Sequence, residues 1–259
     1  MSRLLSVNFI AVALMCASIS GIADEAKKFD WEKYGLPEST ITTCIPDTRG
    51  SNDSWWIPYY KNKLKQPKHD LLFIGDSITD LWSYPPDHKY PGGLDTWNLR
   101  YKEIATNHGV TGDKTQTVLW RLTEGKQLED YYPKHIVLLI GINNLLQGDT
   151  PEDTATGIKA ILDYLLKIRP ETKIMLLGIF PTGLKPGTPI RQKVKKTNEL
   201  IAKFADGQKV FFVDFGKAFL NPDGTTTTEI LRDTLHLSPR GYEIWYETMK
   251  PYLDDFLKK

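Results

Sequence analysis

The chain has 259 residues, of which 41% are hydrophobic, so it is long enough to bury a sizeable core. Lysine plus arginine (33 residues) and aspartate plus glutamate (32 residues) nearly cancel, and the formal net charge is +1. This balance argues against a strongly basic nucleic-acid surface and against an acidic tail, so no nucleic-acid partner is expected.

Residues 1–23 have the pattern of a secretory signal peptide. A basic start at Arg3 is followed by an apolar run to about Ile22, and small residues lie near Ala23, where we expect cleavage. An uncleaved membrane anchor is the alternative, but polar residues interrupt the run and it is short for a membrane span. We therefore expect a secreted or periplasmic protein without a stable membrane anchor. Cys44 is then the one cysteine of the mature chain, which has no intramolecular disulfide.

Residues 24–50 contain prolines and a glycine and have no sustained hydrophobic period. This composition predicts an extended arm laid over the domain. Residues 51–259 are expected to form one domain. Residues 51–54 offer helix caps before an amphipathic segment over residues 55–64, whose aromatic side chains we expect to pack against the core.

Strand-like and helix-like segments alternate along the predicted domain. Apolar runs predict strands at residues 71–74, 135–141, 173–178 and 209–214, and residues 103–107 form a weaker strand candidate. Helical patterns begin at Asp80 and extend over residues 95–101, 114–122, 151–168, 190–205 and 239–257. This alternation implies an α/β fold with a parallel sheet, right-handed crossovers and helices on both faces.

A candidate nucleophile follows the first predicted strand directly. The apolar run ends in Gly75-Asp76-Ser77, which places a hydroxyl at the carboxyl end of the strand, where open α/β sheets bind ligands. A serine there can be a nucleophile, although a Ser or Asp after a strand is more often the cap of the next helix. The catalytic interpretation therefore requires a base, an orienting acid and an oxyanion hole elsewhere in the chain.

One loop could supply both the base and the acid. Asp233 and His236 lie three residues apart just before the last predicted helix, and His236 alone among the five histidines combines a nearby acid with a position after the last strand. The other histidines are expected at strand entrances or in polar loops: His69, His135, His88 and His108. Taken alone, the pair is a weak signal, because a helix-start Asp and a surface His would look identical.

Three groups could donate hydrogen bonds to an oxyanion. They are the backbone amide of Ser77, the amide of Gly112 in a glycine-punctuated turn, and the side-chain amide of Asn143 after the third predicted strand. Gly112 could instead only permit a positive φ, and Asn143 could be an ordinary turn residue. The catalytic interpretation is favoured because all these residues fall at carboxyl ends of predicted strands or in the loop after the last strand.

Four blocks together resemble the signature of the SGNH (GDSL) hydrolase superfamily: Gly75-Asp76-Ser77, Gly112, Gly141-Ile142-Asn143 and Asp233-x-x-His236. Residues 51–257 are also similar to the catalytic-subunit type of platelet-activating-factor acetylhydrolase and its bacterial relatives. The resemblance implies a flavodoxin-like three-layer α/β/α sandwich with about five parallel strands, and hydrolysis of small acyl esters without a metal or cofactor. It implies that Ser77 is the nucleophile, His236 the base and Asp233 its orienter. It also implies that Ser77, Gly112 and Asn143 form the oxyanion hole.

The sequence departs from that family at Thr111, where close relatives commonly have glycine, and at Thr182, where many have arginine. These departures leave the substrate open. We expect a secreted serine esterase that removes short acyl groups, such as acetyl, from carbohydrates, with Trp82 and Trp97 among the aromatic residues that could stack on sugars.

Three alternatives remain. The first is a lipid acetyl-ester hydrolase, which the resemblance suggests. The second, from a different functional class, is a catalytically idle carbohydrate-binding protein on the same fold. A metal-dependent hydrolase is disfavoured because the sequence has no His-rich ligand spacing. Whether the chain forms a homodimer stays open.

Overall fold

A five-stranded parallel sheet, in the order β2-β1-β3-β4-β5, forms the centre of the molecule. Its strands are β1 (Leu71–Gly75), β2 (Ala105–Gly109), β3 (His135–Leu139), β4 (Lys173–Leu177) and β5 (Val210–Val213). The chain leaves β1 toward β2 on one side and then crosses to β3 on the other, as in flavodoxin-like sheets. This order confirms the predicted α/β fold with five parallel strands.

The computed structural model describes residues 29–49 and 55–259. The predicted signal peptide, the start of the arm and the predicted caps at residues 51–54 lie outside the described residues. Within the described ranges, no helix has both the length and the apolar character needed to cross a membrane.

Nine α-helices occur in the described residues. They are α1 (Trp31–Tyr34), α2 (Trp56–Lys63), α3 (Ser77–Asp80), α4 (Leu94–Arg100), α5 (Thr115–Leu122), α6 (Ile142–Leu146), α7 (Pro151–Ile168), α8 (Pro189–Ile201) and α9 (Pro239–Phe256). Short 3₁₀ helices occur at Thr42–Cys44, Leu81–Ser83, Ala202–Phe204 and Gly216–Phe219. The three longest α-helices each begin with a hydroxyl cap followed by proline at the first position, which preorganises the first turn.

Each face of the sheet carries its own hydrophobic core. Side chains such as Phe73 and Val137 pack on one face with aromatic residues of α4 and α9. Alternate strand residues, such as Leu72 and Ile136, pack on the opposite face with α5 and α7. Parallel strands buried on both faces are usually continuously apolar, which is why β1, β3 and β4 were readable from the sequence, whereas β2 is buried but largely polar.

Several boundaries differ from the sequence-based predictions. The first helix after β1 begins at Ser77 rather than Asp80, because the Asp76 side chain accepts a hydrogen bond from the Ile78 amide and caps it early. Strand β2 ends at Gly109 and includes His108, which is buried in the sheet instead of lying in a polar loop. The short helix α6 was not predicted.

The prediction that Trp82 and Trp97 could stack on a sugar is wrong. Both side chains are buried in the core beneath α9. The Trp82 ring lies 4.5 Å from the ring of Tyr242 and 5.1 Å from that of Trp245, and the Trp97 ring lies 5.4 Å from that of Phe73. Neither indole can reach a substrate.

The described part of the arm packs on the helical layer of α5 and α7. The Thr43 hydroxyl donates to the Asp153 carbonyl oxygen over 2.6 Å, and the Thr115 hydroxyl donates to the Thr43 carbonyl oxygen over 2.8 Å. Cys44 is a buried free thiol, and burial raises its pKa. The arm therefore contacts the domain through hydrogen bonds near the start of α5.

Candidate active site

Strand register brings the predicted site segments to one edge of the sheet. Gly75 at the end of β1 is opposite Gly109 on β2 and Leu139 on β3. The chain after each of these strands therefore begins at the same edge. This places Ser77, the turn that contains Gly112 and the start of α6, which contains Asn143, at the carboxyl ends of three adjacent strands.

Gly75 allows the chain to fold back sharply onto the sheet before Ser77. A Cβ atom at this position would lie 2.2 Å from the Thr79 hydroxyl and 2.5 Å from the Leu139 carbonyl oxygen. Any larger side chain would therefore push α3 away from β1 and β3. The absence of a side chain fixes where the Ser77 hydroxyl emerges from the sheet.

Ser77, His236 and Asp233 form a continuous chain of hydrogen bonds. The Ser77 Oγ lies 2.8 Å from His236 Nε2, and His236 Nδ1 lies 2.8 Å from Asp233 Oδ2. When Nδ1 carries the hydrogen and donates it to the carboxylate, Nε2 is left to accept the serine proton. The structure thus brings together the three residues that the sequence predicts as nucleophile, base and orienter.

Backbone contacts hold the carboxylate of Asp233 in place. Its Oδ1 accepts hydrogen bonds from the amides of His236 (2.8 Å) and Leu235 (3.2 Å). Burial by itself would raise the pKa of the Asp233 carboxyl, but the hydrogen bonds from His236 outweigh it and hold that pKa below its usual value. The carboxylate is therefore ionised at neutral pH and can stabilise a positively charged imidazole.

Thr234, in the loop between Asp233 and His236, has a left-handed backbone conformation that neighbouring residues stabilise. Thr234 has φ +72°, which is unfavourable for a β-branched residue. Its carbonyl oxygen accepts hydrogen bonds from the Gly183 amide (2.6 Å) and from the Thr182 hydroxyl (2.8 Å). Thr182, one of the two departures from the family pattern, thus supports the loop that carries the acid and the base.

Asn143 is hydrogen-bonded to Asp113, the residue that follows Gly112 in the chain. Gly112 has φ +80°, a conformation that favours glycine, and lies in the turn between β2 and α5. The Asn143 side-chain nitrogen donates to the Asp113 carbonyl oxygen over 2.9 Å, which orients the amide and leaves its second hydrogen for another acceptor. The Asp113 carboxylate is in turn paired with the buried Arg121 at 2.9 Å.

Asp76, directly before Ser77, is fully buried. Its Oδ1 accepts the Ile78 amide hydrogen over 2.9 Å, whereas Oδ2 has no hydrogen-bond partner among the residues that the structure describes. Burial, reinforced by the negative charge of Asp113, raises the pKa of Asp76 to about 7. The group next to the nucleophile therefore changes charge near neutral pH.

A cavity of about 310 Å³ opens beside Ser77. Its lining comes from α2, α3, the loop before α4, the turn after β2 and the loop before α9: Trp55, Tyr59, Ser77, Asp80, Leu81, Tyr84, Tyr90, Thr111, Arg232, Asp233 and His236. The sequence analysis expected Trp55 and Tyr59 to pack against the core, because a Trp/Tyr pattern on a short helix does not reveal which rings face the core. Tyr84 and Tyr90, in the loop before α4, were not identified as site residues. A larger cavity, about 540 Å³, is lined by α8 and the end of β5 and contains none of the predicted site residues.

Asp80 organises one wall of the cavity. Its Oδ1 receives the Lys63 ammonium and the Tyr59 hydroxyl, both at 2.6 Å. Its Oδ2 accepts the amide (3.1 Å) and hydroxyl (2.8 Å) of Thr111. Thr111, the second departure from the family pattern, therefore joins the wall to the turn that contains Gly112.

Arg232 connects a second wall to the catalytic loop. Its Nε lies 3.4 Å from Asp233 Oδ2, and its Nη1 donates to the Pro91 carbonyl oxygen. Its guanidinium carbon lies 5.7 Å from the ring centroid of Tyr90. The loop before α4 is thus attached to the loop of Asp233.

In the described part of the chain, no cluster of three or more His, Cys, Asp and Glu side chains could hold a metal ion. The groups joined by hydrogen bonds at Ser77 are a hydroxyl, an imidazole and a carboxylate. This set of groups can perform nucleophilic acyl transfer.

Comparisons with known proteins give consistent similarities. Residues 73–244 match the GDSL-like lipase/acylhydrolase family. The platelet-activating factor acetylhydrolase IB subunit alpha1 of Homo sapiens is 35% identical over 207 residues, which cover 77% of this chain and 82% of that protein.

Two solved structures have the same fold at low sequence identity. A GDSL-like lipase from Bacteroides thetaiotaomicron aligns with a TM-score of 0.59 and 20% identity over 77% of this chain and 97% of that one. The acetylxylan esterase Axe2 from Geobacillus stearothermophilus aligns with a TM-score of 0.54 and 20% identity, over 73% of this chain and 95% of that one.

Proposed function

Because this chain belongs to the GDSL-like lipase/acylhydrolase family and is a carboxylic ester hydrolase, we propose that Ser77, His236 and Asp233 are its catalytic triad. The observation that carries the proposal is the continuous hydrogen-bond chain from Ser77 Oγ through the His236 ring to the Asp233 carboxylate. Each link measures 2.8 Å, which is within reach for proton transfer.

In the proposed reaction, His236 Nε2 takes the hydroxyl proton of Ser77 while Oγ attacks the acyl carbonyl carbon. The resulting oxyanion is stabilised by the amides of Ser77 and Gly112 and by the side-chain amide of Asn143. His236 then gives its proton to the departing alcohol oxygen, leaving an acyl-enzyme. Water attacks this ester with His236 again as base, which releases the carboxylic acid and restores the Ser77 hydroxyl. The reaction uses no metal ion or cofactor.

The substrate we propose is a short-chain acyl ester, such as an acetyl ester, of a carbohydrate. The aromatic walls of the cavity support this choice, because Trp55 is 45% exposed and Tyr90 is 50% exposed beside Ser77. Exposed aromatic faces suit the apolar faces of sugar rings. These two rings take the role that the sequence analysis gave to Trp82 and Trp97.

A lipid acetyl ester is the second candidate substrate. It is favoured by the 35% identity to the human acetylhydrolase subunit, which extends over most of both chains. The two candidates are separated by measuring acetate release from acetylated xylan and from a short-chain phospholipid with an acetyl ester. A Trp55→Ala variant is expected to lose turnover of the xylan more than turnover of p-nitrophenyl acetate, because only the larger substrate reaches that wall.

Labelling by a serine-reactive fluorophosphonate tests the nucleophile independently of the substrate. We expect one phosphonyl group on the peptide that contains Ser77 and no label in a Ser77→Ala variant. A wild-type protein that stays unlabelled would contradict the triad and favour the idle carbohydrate-binding alternative. Label on another serine would contradict the assignment of Ser77.

We also propose that the protein is exported, which the basic and apolar pattern of residues 1–23 supports. Expression of the full chain in a bacterial host is expected to yield a periplasmic or secreted product whose mass fits cleavage near Ala23. Retention of the uncleaved chain in the cytoplasm would contradict this proposal.

A further inference from the structure

The guanidinium of Arg49 lies against the turn that contains Gly112. Its Nη1 donates to the Thr111 carbonyl oxygen over 2.7 Å. A Cβ atom placed on Gly112 would lie 2.7 Å from Arg49 Nη2 and 2.9 Å from Nη1. The positive φ of Gly112 favours glycine here, and the backbone at this position lies close to the guanidinium.

The Thr111 carbonyl and the Gly112 amide belong to the same peptide unit. In a planar trans peptide the carbonyl oxygen and the amide hydrogen point in opposite directions, so fixing one fixes the other. Arg49 binds the carbonyl side, and the Gly112 N–H is directed away from the guanidinium. A charged donor on the carbonyl also polarises the peptide, which makes its N–H a stronger donor.

Other contacts limit the freedom of this peptide and of Arg49. On the other side of Thr111, Asp80 Oδ2 accepts both the amide and the hydroxyl of that residue. The Arg49 backbone amide donates to Asp47 Oδ1 over 3.2 Å, and the Asp47 amide donates to the Gln116 carbonyl oxygen on α5 over 3.2 Å. The guanidinium carbon is 5.5 Å from the ring centroid of Trp55, so the side chain has a defined position.

We propose that Arg49 is a positioning residue of the oxyanion hole: it orients and polarises the Thr111–Gly112 peptide so that the Gly112 amide donates to the oxyanion. This inference rests on the proposed function, in which Gly112 supplies one of the three donors. It gives the arm before the domain a part in catalysis, although Arg49 itself does not touch the reacting atoms.

The effect on catalysis is measured with Arg49→Met and Arg49→Lys variants of the full-length protein. Arg49→Met removes the donor and the charge while keeping an extended side chain, and it is expected to lower kcat for p-nitrophenyl acetate about tenfold. This is less than the 10²–10³-fold loss typical when an oxyanion donor is itself removed. KM is expected to stay within about twofold, because the interaction strengthens in the transition state rather than in the bound ester.

Arg49→Lys retains a positive donor and is expected to recover part of the lost kcat.

Arg240→Met is the matched control, since Arg240 is an exposed arginine paired with Glu243 on α9. It should leave kcat and KM unchanged. An unchanged kcat in Arg49→Met, or a loss confined to KM, would overturn the proposal. Should Arg49→Met fail to fold, Arg49→Lys is compared with Arg49→Gln, and equal kcat values in these two would overturn it.

A second readout does not depend on turnover. In a ¹⁵N-labelled protein, loss of the hydrogen bond to the Thr111 carbonyl should move the Gly112 amide proton upfield in Arg49→Met and less so in Arg49→Lys. An unmoved Gly112 resonance would contradict the proposal even if the proposed substrate were wrong. Conversely, a wild-type protein without esterase turnover but with this shift would contradict the proposed function and leave the positioning of the peptide by Arg49 supported.

Discussion

In the proposed reaction, the Asn143 side chain has both a structural and a chemical part. One hydrogen of its amide binds the Asp113 carbonyl oxygen and so fixes the direction of the other. An Asn143→Ala variant is expected to lose about 10²–10³ in kcat, the usual effect of removing one oxyanion donor. Esterase kinetics measure this loss, and an unchanged kcat would contradict the assignment of Asn143 to the oxyanion hole.

The buried Asp76 predicts a pH dependence of stability. Its pKa is about 7 in the folded protein, compared with about 3.9 for an unfolded Asp, so the folded state holds this proton more tightly. Its contribution to the free energy of unfolding is complete below about pH 4 and decreases as the pH rises through 7. The resulting decrease in the free energy of unfolding is at most about 4 kcal/mol, because the folded and unfolded pKa values of Asp76 differ by roughly three units.

An Asp76→Asn variant should have a flatter stability profile between pH 4 and 7 than the wild type. Asparagine keeps an oxygen that can accept the Ile78 amide hydrogen but does not titrate. Urea unfolding at a series of pH values measures the difference, and Asp130→Asn, at an exposed position, serves as the control. Parallel profiles for the wild type and Asp76→Asn would contradict the raised pKa.

At single residues, the sequence was most informative where the proposed reaction requires one residue type. A serine at a strand end and an aspartate and a histidine in a final loop, taken together with the family resemblance, selected Ser77, His236 and Asp233. The structure joins these side chains by hydrogen bonds, and their catalytic roles stay a prediction. Trp82 and Trp97 were assigned to the surface incorrectly, because an aromatic residue looks the same in sequence whether its ring faces solvent or the core. Their burial depends on α9, which is distant in the chain.

At the scale of elements, α2 and α3 are joined through the buried ion pair of Lys63 and Asp80. The ammonium and carboxylate are 2.6 Å apart and almost inaccessible to solvent. Removing one charge leaves the other buried without a partner, which typically costs about 3–5 kcal/mol. An Asp80→Asn variant is therefore expected to unfold at a clearly lower urea concentration than the wild type.

The matched double variant Lys63→Met/Asp80→Asn removes both charges and should recover part of the stability lost in Asp80→Asn. Urea unfolding of the wild type, the single variants and the double variant forms a complete cycle. The free energy of unfolding of the double variant could instead be lower than that of Asp80→Asn by the whole loss measured for Lys63→Met alone. In that case the two charges do not interact, and this account of the cavity wall is wrong.

Element predictions were most accurate for long segments with a clear period. The helix predicted at residues 151–168 agrees with α7 at both ends, and the five strands were found within a few residues. The short elements α3 and α6 contain four and five residues, too few to develop a helical period. Capping by Asp76 and the left-handed φ of Gly141 define their starts, and those are features of the folded backbone.

For the whole molecule, the sheet order determines which parts of the chain can meet. Strand β1 lies between β2 and β3, so residues separated by more than 60 positions meet at one edge of the sheet. The sequence predicted this parallel arrangement from the alternation of strands and helices. It could not predict that α2 would form a wall of the cavity, because that contact depends on tertiary packing of aromatic side chains.

The most direct test of the central claim is the turnover of p-nitrophenyl acetate by the purified protein and by its Ser77→Ala variant, with the butyrate and octanoate esters in parallel. We expect acetate to be hydrolysed faster than the longer esters, and turnover to disappear in Ser77→Ala while its circular dichroism spectrum stays that of the wild type. Equal turnover by the folded Ser77→Ala variant, or none by the wild type on any of these esters or on acetylated xylan, would contradict a serine esterase centred on Ser77.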